Sequence, residues 1–322
     1  MDAGLKELAR IGDAGTERTV SFRVQGECLR GIVALPQDAA KPVGVVFVHG
    51  WSGNRAGPHG LLVDMARRFA TLGYPSLRFD FRGRGESEGD GLAASLPTMA
   101  EDLVGATTCF QETTGVRRVV YFGLCSGGNV TIGTLPKLPS AVGLVLLSVY
   151  PFSDGDAFGR DVHRTVHYLK VYWRKATQGS TWRRLFRGDV SMKGVFNVLF
   201  GHFLNRGRNK KKESAQGEPT ESPASRAQGK TAKAAATESR SQEGEAPKKH
   251  LAKLRPDLPV LMVYGTADPD APAAQRYFGD YVRERKLPVE MVEVPGANHN
   301  FSSAEWKQRI GELGDAFLAR LG

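Results

Sequence analysis

Cys125 and Ser126 stand side by side in "VVYFGLCSGGNVTIG", residues 119–133, between a strand-favouring run and a cluster of glycines. A nucleophile on a sharp strand-to-helix turn needs small residues two before and two after it, so that strand and helix can approach closely. Centring that spacing on Cys125 gives Gly123 and Gly127, whereas centring it on Ser126 gives Leu124 and Gly128. Cys125 is therefore the expected nucleophile, and the Ser126 backbone N–H an expected oxyanion donor. A cysteine more commonly serves as a small hydrophobe. Cys28, in a predicted strand, and Cys109, in a predicted helix, are read that way because neither sits between paired glycines.

Acyl transfer through such a residue also requires a base, an acid that orients the base, and a second oxyanion donor. "VYGTADPD" puts Asp268 three residues past Gly265, just beyond a predicted strand, and "VPGANHNFS" puts His299 in the loop after the last strand. "HGWSG", residues 49–53, follows an earlier strand and offers the Trp51 N–H. Asp270, and more remotely Asp154, compete for the acid's role; the position of Asp268 immediately past the strand favours it. A free thiol with a pKa of about 8.5 is mostly protonated at neutral pH. Cys125 thus needs His299 as base and the following helix N-terminus to favour its thiolate. Asp268 would hold the His299 tautomer, and the Ser126 and Trp51 amides would bind the oxyanion, each worth about 3 kcal/mol in the transition state.

Other candidates are weaker. His49 is read as a structural hydrogen bonder. His59, Arg82 and Arg84 fall in loops near the expected mouth, but "FRGRGES" is most simply a tight turn. His163, His167 and His202 fall within residues 158–205, and His163 and His167 have helical i, i+4 spacing, yet no acid or cysteine completes a ligand set, so neither metal nor cofactor is expected.

These residues need a scaffold that brings strand ends together. "TVSFRV" and "LRGIVAL" read as an antiparallel hairpin, and "VGVVFVHG", "PSLRFDF", "RRVVYFG", "AVGLVLLSVYP", "PVLMVYG" and "PVEMVEVPG" as buried strands. "LLVDMARRFATLG", "TMAEDLVGATTCFQETTG" and "AEWKQRIGELGDAFLARL" carry helical periodicity, with Thr98 and Glu101 at capping-box spacing. Strands alternating with helices predict an α/β fold, a mostly parallel sheet covered on both faces, with functional loops at the strands' C-terminal ends.

At 322 residues, 41% apolar and 24% charged, the chain is an ordinary globular protein rather than a disordered or fibrous one. No apolar run approaches the length of about 18 that spans a bilayer. The first twenty residues lack a hydrophobic signal core, and three distant cysteines form no disulfide framework, so a reducing cytoplasm is expected. The net charge of +10 is concentrated: residues 158–205 carry nine Lys/Arg against two acids, and residues 206–249 eleven against six. The near-neutral remainder argues against a nucleic-acid binder. Residues 206–249 contain no Val, Ile, Leu, Met or aromatic residue and are expected to be disordered. Residues 158–205 mix aromatics with Arg and Lys and read as a helical cap insertion between a first core part, 1–157, and a second, 250–322. Such a cap could simply pack with its charges solvated, or could admit a long apolar or anionic substrate or touch anionic lipid as a peripheral membrane contact.

With "VFVHGWSGNR", "LRFDFRGRGESEG", "FGLCSGG", "VYGTADPD" and "PGANHNF" in this order, the chain resembles the alpha/beta-hydrolase superfamily over nearly its whole length outside the disordered stretch. That superfamily usually carries serine in the elbow. A cysteine there is similar to dienelactone hydrolases and to polyhydroxyalkanoate synthases. The "GLC" elbow together with "WRRLFRGDV" resembles the exosortase A system-associated hydrolases, which implies a bacterial enzyme in an exopolysaccharide or protein-sorting setting. The expected activity is that of an acyl hydrolase or acyltransferase on a small-molecule or acyl-carrier ester or thioester, with Cys125, His299 and Asp268 as the triad. A polyester synthase and a catalytically silent scaffold are the competing readings.

Overall fold

The computed structural model describes residues 8–12, 15–91, 94–151 and 250–322. The expected cap and low-complexity stretch, with Asp154 and the three histidines 163, 167 and 202, lie outside the described residues.

Nine strands among the described residues form one sheet: β1 (Leu8–Arg10), β2 (Thr16–Val24), β3 (Glu27–Leu35), β4 (Val43–Val48), β5 (Ser76–Phe79), β6 (Arg118–Leu124), β7 (Ala141–Leu147), β8 (Val260–Gly265) and β9 (Val289–Val294). Their order is β1-β2-β3-β5-β4-β6-β7-β8-β9. The first three are antiparallel, β3 meets β5 antiparallel, and every pairing from β5 to β9 is parallel. The hairpin is longer than its alternating residues predicted, because Gln25 and Gly26 both take positive φ (51° and 91°) and close β2 directly onto β3. A two-residue turn of that hand matches the strands' own twist.

Two cores explain the continuous apolar strands. Alternate residues of β4, β6 and β7 point to opposite faces, so Val45, Phe47, Val120 and Phe122 meet α1 (Leu61–Thr71) and α5 (Ala304–Ala319) through Leu62, Phe69, Ile310 and Phe317. Val46, Val48 and Tyr121 meet α2 (Leu96–Thr114), α3 (Ser126–Thr134) and α4 (Ala271–Arg285) through Leu103, Phe110, Val130 and Phe278. Each such apolar side chain contributes about 1.5–3 kcal/mol of transfer free energy. No helix among the described residues is long and apolar enough to cross a membrane.

The start of α2 differs from the capping-box expectation. Ser95, not Thr98, is the N-cap: its hydroxyl accepts from the Thr98 N–H at 3.4 Å, and Thr98 Oγ1 accepts from the Ser95 N–H at 2.9 Å. Pro97, which has no N–H to lose, sits in the first turn, and this sets the earlier start. Glu101 instead pairs with Arg82 at 3.2 Å.

The order of parallel strands reverses at β4. The chain passes from β4 to β5 on one side, then to β6 on the other. A crevice opens at such a reversal, beyond the strands' C-terminal ends. The loops that leave β4, β6, β7, β8 and β9 all start there.

Candidate active site

Cys125 is the single residue between β6 and α3, with φ 55° and ψ −126°. A side chain held there costs of order 1–3 kcal/mol of backbone strain. The neighbouring glycines are obligatory: a Cβ on Gly127 would lie 2.3 Å from the Val48 carbonyl oxygen, and one on Gly123 would lie 2.7 Å from the Gly128 Cα. The Cys125 N–H donates to the Leu147 carbonyl at 2.8 Å, which ties the turn to β7. The thiol is thereby presented at a helix N-terminus, where unpaired N–H groups and the helix dipole favour an anion.

Asp268 and His299 arrive from β8 and β9. Their loops interlock: the Ala267 N–H donates to the Ala297 carbonyl at 2.9 Å, and a Cβ on Gly265 would fall 2.2 Å from that same oxygen. Asn298 shapes the histidine loop by accepting from the Asn300 and Ser302 amides, both at 3.2 Å. His299 Nδ1 donates to Asp268 Oδ2 at 2.7 Å, and the carboxylate is only 2% exposed. Asp268 Oδ1 accepts from the Asp270 N–H at 3.1 Å. Asp268 is thus the acid that meets His299, while Asp270 stands at the N-cap position of α4.

The far side of the imidazole hydrogen-bonds Cys125. Burial alone would lower the His299 pKa, but hydrogen bonds to Asp268 and Cys125, with their negative charges, push it up to about 10. Burial alone would raise the Cys125 pKa. The His299 hydrogen bond and charge, a hydrogen bond with Tyr150 and one from the Ser126 N–H outweigh burial and hold the thiol below its ordinary value. Both directions favour the thiolate–imidazolium form of the pair over the neutral one. Cys109 shows the contrast: burial, the largest influence there, pushes its thiol up. It and Cys28 are half-buried rather than packed in the core.

Trp51 and Ser126, the residues of the two expected oxyanion amides, line the same cleft as Cys125. The Ser126 N–H points at Cys125 itself. The Trp51 N–H donates to Ser126 Oγ at 2.6 Å, so the serine hydroxyl has a contact that its backbone role did not predict. Asp80, fully buried, accepts from the Arg55 and Glu86 amides and from the Arg55 guanidinium, fixing the loops after β4 and β5. Arg84 Nε holds the Trp51 carbonyl at 2.8 Å, and Arg82 is spent on Asp102 and Glu101.

His49 is buried and neutral. Its Nε2 accepts from the Phe81 N–H at 3.3 Å, which leaves Nδ1 to donate to the Gly50 carbonyl at 2.8 Å. Burial lowers its pKa. His59 is exposed and does not line the cleft.

Above the sulfur lies a cleft of about 590 Å³ lined by Trp51, Leu124, Tyr150 and Asn300 together with Cys125 and His299. Tyr150 was not singled out in the sequence. Asp268, Asp270 and His299 place potential ligand atoms within 4.8 Å of one another, but Asp268 and His299 already use theirs on each other.

A mostly parallel sheet with a strained strand-to-helix turn after β6, an acid after β8 and a histidine after β9 is the arrangement of an alpha/beta-hydrolase. Residues 45–309 match the Alpha/beta hydrolase family, and the chain belongs to that family. Dienelactone hydrolase from Anabaena variabilis is similar in structure, with a TM-score of 0.56 at 15% identity over 94% of this chain and 97% of that one. Est1E from Butyrivibrio proteoclasticus, solved with ferulic acid bound, gives 0.53 at 14% over 94% and 98%. A carboxyl esterase from Bacillus coagulans, solved with glycerol, gives 0.57 at 14% over the same shares, 94% and 98%. No curated protein matches the sequence.

Proposed function

We propose that the protein is an acyl hydrolase or acyltransferase acting on an ester or thioester through a covalent acyl-Cys125 intermediate. One observation carries the reading: Cys125, His299 and Asp268 form a continuous hydrogen-bonded line at a helix N-terminus that faces the cleft. The fold it shares with a dienelactone hydrolase and with esterases supports ester chemistry.

In the proposed reaction the thiolate attacks the acyl carbonyl and a C–S bond forms. The carbonyl oxygen takes the charge and is met by the Ser126 N–H and by the Trp51 N–H, the latter once Ser126 Oγ turns aside. Collapse breaks the bond to the leaving group, which takes a proton from the His299 imidazolium. Water, or an acceptor hydroxyl or amine, then attacks the thioester while His299 removes its proton. The C–S bond breaks and the thiolate returns. Thioesters are readily attacked by amines, so transfer competes with hydrolysis. The proposed setting is the bacterial cytoplasm, in exosortase-linked or exopolysaccharide metabolism, on the resemblance of the "GLC" elbow.

The test is turnover of a p-nitrophenyl ester and of an acyl-CoA, with and without an added amine acceptor. Cys125→Ala is expected to lower turnover by at least about a thousandfold. Turnover equal to that of the unsubstituted protein would overturn the proposal.

A further inference from the structure

We propose that Tyr150 is a further catalytic residue whose hydroxyl donates a hydrogen bond to the Cys125 sulfur and holds the thiolate ready for attack. The inference rests on Cys125 being the nucleophile, as argued above. Tyr150 lines the cleft together with Cys125 and His299, and its ring centre lies 6.2 Å from that of His299.

The loop that carries Tyr150 is built to put it there. Ser148, the first residue after β7, takes φ 47° and donates its N–H to the Val263 carbonyl at 2.9 Å. The buried Tyr264 hydroxyl donates to the Val149 carbonyl at 3.0 Å. Asn129 of α3 donates through Nδ2 to the Tyr150 carbonyl at 2.8 Å. Val149 is fully buried and sits so close to α3 that a Cβ on Gly128 would meet its Cγ2 at 2.2 Å. One main-chain and two side-chain hydrogen bonds from β8 and α3 therefore grip three consecutive residues beyond β7, one of them in a strained conformation. A tyrosine needed only to fill space would not require its backbone to be fixed from two elements.

In the proposed arrangement the Tyr150 hydroxyl joins His299 and the Ser126 N–H, both of which lower the Cys125 pKa, as a third donor to the sulfur. Hydrogen bonds to a charged acceptor are the strong ones. When the C–S bond forms, the sulfur loses its charge and the hydroxyl loses its acceptor. The contact thus favours the free thiolate over the thiol, at the cost of some nucleophilicity, since a thiolate of higher pKa attacks faster.

The experiment is the pH dependence of Cys125 alkylation by iodoacetamide in the full chain, read by peptide mapping for the unsubstituted protein and for Tyr150→Phe. Phenylalanine keeps the ring against His299, and a melting curve checks the fold. Removing the hydroxyl is expected to move the midpoint up by about one pH unit. Above the new midpoint the rate should equal or exceed that of the unsubstituted protein, by up to about threefold for a Brønsted slope near 0.4–0.5. An unchanged midpoint overturns the inference whatever the plateau, because packing damage alone depresses the plateau. Failure of the underlying reading looks different: Cys125 of the unsubstituted protein would then alkylate no faster than Cys28 and Cys109.

Discussion

Asp268 uses both carboxylate oxygens, one on His299 Nδ1 and one on the Asp270 amide, so it cannot swing away from the imidazole. Its charge, after burial is offset, is what keeps His299 protonated. Asp268→Asn keeps the size but removes the charge and permits the wrong tautomer. The expected loss in turnover is about three to four orders of magnitude. The sign of the pH effect follows: with a less basic His299 the thiolate loses its cation, so the Cys125 alkylation midpoint should rise. An unchanged midpoint would mean that Asp268 is structural. At this scale the juxtaposition of Cys125, His299 and Asp268 was legible because glycine spacing singles out Cys125, and the order of strand-end motifs supplies Asp268 and His299. The Ser126 hydroxyl on the Trp51 N–H and the approach of the Tyr150 ring to His299 were not, since both arise only where loops from different strands meet. The one local signal was a polar-tipped aromatic, Tyr150, directly after the buried run of β7.

Element packing also depends on two ion pairs sharing one carboxylate that no motif announced. Arg78 of β5 is 3% exposed, and its guanidinium meets Glu17 of β2 at 2.8 Å, while Arg67 of α1 meets the same carboxylate at 3.0 Å. Burial pushes the Glu17 pKa up, but the two arginines outweigh it and the net shift is downward. A depressed folded pKa contributes stability above the unfolded value of 4.5 and loses it as pH falls through the folded value. Glu17→Gln strands Arg78 and is expected to cost about 3 kcal/mol near neutral pH. In denaturant unfolding the gap to the unsubstituted protein should close as pH drops below 4.5; a gap constant with pH would contradict this. Alternating polar and apolar residues showed β2 and β3 as strands, but not which face would meet a buried arginine. The N-terminus of α2 was misplaced because Thr98 and Glu101 satisfy the same spacing rule as Ser95 and Thr98. Helix α4 was not singled out, since "APAAQRYFGDYVRER" dilutes its apolar stripe with Pro272, Gly279 and charges.

For the molecule as a whole, the parallel sheet and its two covered faces were readable from continuous apolar strands separated by amphipathic segments. The strand order was not, because period alone does not say that β5 lies between β3 and β4. That order places the β4 and β6 loops beside each other, and with them the Trp51 amide next to the elbow. Everything proposed for this arrangement converges on the sulfur of Cys125 as the atom that takes the acyl group. The direct measurement is acid-quenched mass spectrometry during turnover of a p-nitrophenyl ester, with fragmentation that separates Cys125 from Ser126. The acyl mass should sit on Cys125 and be released by neutral hydroxylamine, as a thioester is. An acyl mass on Ser126, or continued turnover with no adduct on Cys125 at any quench time, would contradict it.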